Sequence, residues 1–195
     1  MPRESKREGR RRRIRQGRRR TYLIGGGLGL LALVFIGWLV SRDAPPAAGE
    51  AVALMPATHI AEGSDPGVYN TDPPTSGPHY PGEYDARFYE EADLPGLPTF
   101  HEGYLVHNLE HGYVIFWYNC AALAELDCTT LKDGIRAVMA QFDGVKLIAF
   151  PRPSLTSPLV MTTWGRLRSF EAFDAAVAED FVRRNRNQAP EPNAP

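Results

Sequence analysis

The sequence predicts an α+β fold: a small mixed sheet with two helices in the order β-β-α-β-β-α, behind an N-terminal transmembrane helix and a Pro/Gly/Tyr-rich wrap. Three observations predict it. Charge divides sharply along the chain, an uncharged apolar run of membrane length follows the basic part, and beyond residue 100 strand-like and helix-like apolar patterns alternate. At 195 residues there is room for one domain plus appendages.

The net charge of −1 averages two unlike parts. Residues 1–20 hold eleven of the 22 Lys and Arg against Glu4 and Glu8, whereas from Asp43 onward ten basic residues face 21 acidic ones, a net charge of −11. Between them "YLIGGGLGLLALVFIGWLV", residues 22–40, carries no charge. A helix rising about 1.5 Å per residue crosses the hydrocarbon layer in roughly 20 residues. Tyr22 and Trp38 stand near the ends of the run, where amphipathic rings favour the headgroups. The run is longer than the roughly 7–15 residue core of a cleaved signal peptide, and "AVA" at 51–53 lies well past it for a cleavage site. It reads as an uncleaved signal anchor in the cell membrane. The basic tail, residues 1–21, stays cytoplasmic and the remainder is extracytoplasmic, because positive flanks are retained inside. The expected partner of the tail is the lipid bilayer. Arginine-rich segments also fold on RNA, but no aromatic residue interleaves these arginines, and no nucleic-acid partner is expected. Gly25 and Gly29 have the small-xxx-small spacing, too common a pattern to fix the oligomeric state.

Residues 41–61 read as a linker, residues 62–186 as an extracytoplasmic α+β domain and residues 187–195 as a disordered tail. From Glu62 to Pro98 the chain is dense in Pro, Gly and Asp without a period. Tyr69, Tyr80, Tyr84, Phe88 and Tyr89 argue that it is an ordered wrap, since disordered tracts are poor in aromatics. Residues 103–107, "GYLVH", and 112–119, "GYVIFWYN", are strand candidates joined through a histidine segment. Residues 128–142 place Leu131, Ile135, Val138, Met139 and Phe142 on one helical face, with Thr129 or Thr130 as N-cap. Two more strands follow at 144–150 and 159–164. Ser169 then caps a last helix whose apolar face is Phe170, Phe173, Val177 and Phe181. Cys120 and Cys128, the only cysteines, suit a small disulfide loop in an oxidising compartment and lack the spacing of a zinc ribbon.

Four of the five histidines, His79, His101, His107 and His111, fall within 33 positions. His107-x-x-Glu110-His111 matches the inverzincin string, in which a helix brings two histidines to one zinc. On a helix, residues four apart have Cβ atoms about 5–6 Å apart. On a strand they stand roughly 13 Å apart, too far to share an ion. The flanks read as strand and Gly112 is unsuited to a helix interior, so the peptidase reading fails on context. A turn at Asn108–Leu109, or His79 arriving from the wrap, restores a metal site. The candidate ligands are then His79, His107 and His111, with Glu110 as a fourth ligand or as the partner orienting an imidazole. Zinc or copper fits such donors, and Met161 offers a thioether that favours copper. Arg166 is a candidate to pair with Glu110 or hold an anion. Thr75 and Ser76 supply hydroxyls with no base at fixed spacing, so no catalytic residue is assigned. The competing account is a polar seam in which these groups only hydrogen-bond one another.

"TDPPTSGPHY", "LVHNLEHGYVIFWYN" and "TTWGR", in this order behind an N-terminal anchor, resemble the bacterial family known as domain of unknown function 3105, over roughly residues 60–185. Its hallmark positions correspond to Pro73, Pro74, Ser76, Gly77, His79, His107, Glu110, His111, Gly112, Trp164 and Arg166, and Tyr113 stands where its pattern has a small residue. The resemblance implies no activity and no ligand set. It supports treating His79, His107, Glu110 and His111 as one group. The expectation is a single-pass membrane protein binding zinc or copper outside the cell. Its alternatives are a non-catalytic module docking an envelope protein and, third, a metal-dependent hydrolase.

Overall fold

A computed structural model describes residues 47–121 and 123–194. The basic tail and the apolar run expected to span a membrane lie outside the described residues. No helix among the described residues is long and apolar enough to cross a membrane.

Five strands, β1 (Glu50–Ala51), β2 (Val114–Tyr118), β3 (Leu147–Pro151), β4 (Leu159–Thr163) and β5 (Arg166–Phe170), form one sheet in the order β1-β5-β4-β2-β3. Helix α2 (Glu125–Gln141) carries the chain from β2 back to β3, so these two run parallel, from Val114 opposite Leu147 to Tyr118 opposite Pro151. The other neighbours are antiparallel. All residues of β2, β3 and β4 are buried, which is why they read as unbroken apolar runs and not as alternating ones. On one face Val114, Phe116, Leu147 and Met161 pack beneath α2 and helix α3 (Ala175–Asn185). On the other, Ile115, Trp117, Ile148 and Phe150 pack beneath helix α1 (His101–Glu110) and the aromatic wrap. Trp117 adds a hydrogen bond, Nε1 to Thr162 Oγ1 at 2.8 Å, so the largest core side chain is buried with its polar atom satisfied.

The wrap is ordered, and the sheet explains why. Tyr89 N donates to Ala149 O and Ala149 N to Arg87 O, at 2.8 and 3.1 Å, so the wrap closes the free edge of β3. The disulfide also forms: Cys120 and Cys128, with Cα atoms 5.2 Å apart, join the chain just past β2 to the first turn of α2.

Several boundaries differ from expectation. Residues 103–107 belong to α1, not to a strand. The helix ends in a Schellman arrangement, with Tyr113 N bonded to Asn108 O and Gly112 N to Leu109 O at 3.1 and 3.0 Å, and Gly112 at φ +85. The glycine that argues against a helix interior is the residue that terminates one. Helix α1 also hides its period, because residues 103–110 are buried all round between the sheet and the wrap. Helix α2 starts at Glu125 with Ala124 as N-cap, so Thr129 and Thr130 lie within it. Glu125 and Asp127 place negative charge in its first turn, where the helix dipole favours it. Helix α3 is capped by Asp174, which accepts from Val177 N at 3.1 Å. Ser169 lies instead in β5, a strand the sequence reading lacks along with β1. The described helices are three, with a short 3-10 turn at Glu91–Gly96. Residues 47–61, expected as linker, run along the domain: β1 pairs with β5, and Ile60 N bonds His79 O at 2.8 Å. Residues 187–194, expected as a disordered tail, hydrogen-bond to the end of α1, with Glu191 N 3.0 Å from Glu110 O.

Candidate metal centre

Three segments converge at the end of α1. His107 and Glu110 are three residues apart on the helix and therefore share a face. His79 comes from the wrap, where Pro78 restricts the backbone before it. His59 pairs with it as an isolated parallel bridge, fixed by Ile60 N to His79 O and His79 N to Thr58 O at 2.8 and 3.0 Å. One donor atom from each of His59, His79, His107 and Glu110 lies within 4.8 Å of all the others. The ring centroids of His79 lie 4.6 Å from His59 and 5.3 Å from His107.

The hydrogen bonds around this group leave its donors bare. His79 Nδ1 lies 2.8 Å from Gly77 O. A carbonyl only accepts, so Nδ1 carries the hydrogen and, in the neutral ring, Nε2 presents its lone pair inward. His79 Nε2, His107 Nδ1 and Glu110 Oε2 are all buried without a hydrogen-bond partner. Nε2 and Oε2 approach to 2.9 Å, yet the contact lacks hydrogen-bond alignment. Bonds of about 2.0–2.1 Å arranged tetrahedrally set donor atoms roughly 3.3 Å apart, with lone pairs aimed at the centre and not at one another. A close but misaligned nitrogen and oxygen is what two ligands of one ion present. His107 completes the case: burial, then the closeness of the His111, His79 and His59 imidazoles, push its pKa down to about 4. It is neutral at pH 7, the form that binds metals. His59 is the open side of the group, with 54% of its side chain exposed.

His111 lies one residue beyond this face. Its ring centroid is 4.3 Å from that of His107, but Nδ1 lies 3.0 Å from Glu83 Oε2 and Nε2 3.7 Å from Glu191 Oε2. With Glu83 and His107 it forms a second group whose donors also lie within 4.8 Å of one another.

Of the residues singled out in sequence, His79, His107 and Glu110 gather and His111 stands beside them in carboxylate pairs. Met161 is on the opposite face of the sheet, fully buried under α2 and α3, and offers no thioether to the site. Arg166 does not meet Glu110: its Nη1 donates to Gly49 O at 3.2 Å, at the β1–β5 pairing. Ser76 Oγ accepts from Met55 N at 2.9 Å, a structural bond. His101, at the other end of α1, contacts Tyr84 Oη at 3.2 Å. Sequence reasoning missed His59 and Glu83. His59 had one signal, that of being the remaining histidine, and it lay in a stretch read as linker. Asn108 was missed too. Its Oδ1 accepts from Tyr84 N at 3.0 Å and its Nδ2 donates to Tyr84 O at 2.9 Å, clamping the wrap to α1 beside His107.

The model of a family described as protein of unknown function (DUF3105) matches residues 62–195, more than half of the chain. No curated protein and no solved structure matches it.

Proposed function

The chain belongs to the DUF3105 family, and from that premise we propose that its domain binds a transition-metal ion, zinc in the first place, through His59, His79, His107 and Glu110. The observation that carries the reading is the convergence of three buried donors without hydrogen-bond partners, His79 Nε2, His107 Nδ1 and Glu110 Oε2. Leaving a buried polar group unpaired costs on the order of 1–3 kcal/mol, and an ion shared by all three removes that cost at once. Imidazole nitrogen and carboxylate oxygen suit zinc, whereas Met161, a soft donor of the kind that selects copper(I), faces the other layer, and both cysteines are in the disulfide.

Four protein donors make a closed set, the pattern of metal sites that hold structure or store the ion, whereas hydrolytic zinc keeps a position for water. Glu110 belongs to the donor set here, which leaves it unavailable as a general base. The reading is therefore a binding module and not a hydrolase. The uncharged apolar run at residues 22–40, read as a membrane anchor, and the disulfide, a bond that persists in oxidising compartments, both support an extracytoplasmic position for this module.

Elemental analysis of the full chain, purified without a tag, tests the reading. About one zinc per chain is expected, lost in the His79→Ala, His107→Ala double variant. Metal content indistinguishable between wild type and variant overturns it.

A further inference from the structure

Residues 187–194 lie across the end of α1, and the contacts are made to the turn that carries the site. Asn187 N donates to Gly112 O at 2.9 Å and Glu191 N to Glu110 O at 3.0 Å. Lys146 Nζ donates to His111 O, Pro192 O and Ala194 O, each at 2.9 Å. An ammonium has three N–H donors, and here all three are spent joining the helix end to the crossing segment. The carbonyls at a helix C-terminus have no partner within the helix and form the negative end of its dipole, so a lysine is well matched to them. Packing agrees with the hydrogen bonds: a Cβ on Gly112 would lie 2.7 Å from Asn187 Cα. Glu191 lies 3.7 Å from His111 Nε2, and Glu83 holds its other nitrogen.

Two consequences for the site follow. Glu110 is the last residue of α1, the position at which a helix frays first, so the aim of its carboxylate depends on what holds that end. His111, its ring 4.3 Å from that of His107, is close enough to compete for an ion bound there. We propose that residues 187–194, clasped by Lys146, are a positioning strap that fixes Glu110 toward the cation and holds His111 out of the ligand set. This rests on the metal-binding reading above.

The test uses the full chain, zinc titrations and cobalt(II) as a spectroscopic substitute. Ending the chain after Arg186, or substituting Lys146→Met, is expected to weaken zinc binding at least tenfold while about one ion per chain still binds. The cobalt(II) absorption shifts as the ligand set changes, and His111→Ala in the shortened chain returns it to the wild-type spectrum. Zinc affinity within twofold of wild type, with an unchanged cobalt(II) spectrum, overturns the strap and leaves the metal-binding reading standing. No zinc bound by wild type overturns both. If the shortened chain does not fold, hydrogen exchange on wild type decides the matter, because coupling between two sites is reciprocal. Zinc is expected to slow exchange at the Asn187 and Glu191 amides, and equal rates with and without zinc overturn the proposal.

Discussion

His79 Nε2 and Glu110 Oε2 lie 2.9 Å apart, both buried, and neither makes a hydrogen bond. That relationship sets two opposite expectations for Glu110→Gln. The amide is a poor zinc donor, so affinity for zinc falls at least about 100-fold, beyond the roughly 10–100-fold cost of disturbing a residue behind the ligands. In the metal-free protein the amide nitrogen can donate to Nε2, and stability rises by about 1 kcal/mol, the net worth of a hydrogen bond. Competition with a chromophoric chelator and urea unfolding after chelation measure the two effects. A variant weaker in both would mean that Glu110 is a structural partner and not a ligand.

His107 gives the metal-free domain a pH dependence. Its pKa in the fold is pushed down to about 4 from the ordinary 6.5, mainly by burial. The unfolded chain therefore takes up the proton first, and stability present above about 6.5 is lost as the pH falls toward 4. The slope contributed by one proton is at most about 1.4 kcal/mol per pH unit. Urea midpoints of the chelated protein at several pH values across this window should fall with acidity, and His107→Gln should flatten the trend. An unchanged slope in that variant would assign the acid sensitivity to other groups.

Asn108 is predicted to matter more for stability than any of the candidate ligands. Its side-chain amide satisfies both backbone groups of Tyr84 inside the protein, doing for the wrap what a neighbouring strand does for a sheet. Asn108→Ala leaves a buried N–H and a buried C=O unpaired, at roughly 1–3 kcal/mol each. Asn108→Asp keeps the acceptor and should fall between. Thermal unfolding ranks the three proteins, and a cost below about 1 kcal/mol for the alanine variant would show that water replaces the clamp.

What could be read from the sequence depended on whether a contact was local. The run 114–118 announced β2 through its β-branched and aromatic residues, and Leu131, Ile135, Val138 and Met139 announced α2 through their spacing; all are buried where expected. Helix α1 leaves no such mark, because burial on every side removes the period of a helix, and Gly112, which argues against a helix interior, is its cap. Strand β5 was lost because only Phe170 of its five residues is buried, which leaves "RLRSF" without an apolar pattern. At the site, the three-residue spacing of His107 and Glu110 did carry the geometry once the segment is helical. The contribution of His59 did not show, since it arrives through backbone pairing with His79, 20 positions away, and sequence spacing says nothing about that.

The disulfide should be separable from the metal. Cys120 follows the far end of β2, whereas the site gathers at the other end, before Val114, and Cys120 packs against the layer under α2 and α3. The bridge spans a separation of eight residues. Closing so short a loop restricts the unfolded chain by about 2.5 kcal/mol at 25 °C in the chain-entropy account. Reduction, or the Cys120→Ser, Cys128→Ser pair, is therefore expected to lower stability by about that amount. Zinc affinity should stay within twofold, because none of the four proposed ligands belongs to the loop that the bridge closes. Chemical unfolding and zinc titration on the same preparations check both halves. A large loss of zinc affinity would show that α2 and the strand end act on the helix carrying His107 through the sheet, and the two faces of the domain would then have to be treated as one coupled unit.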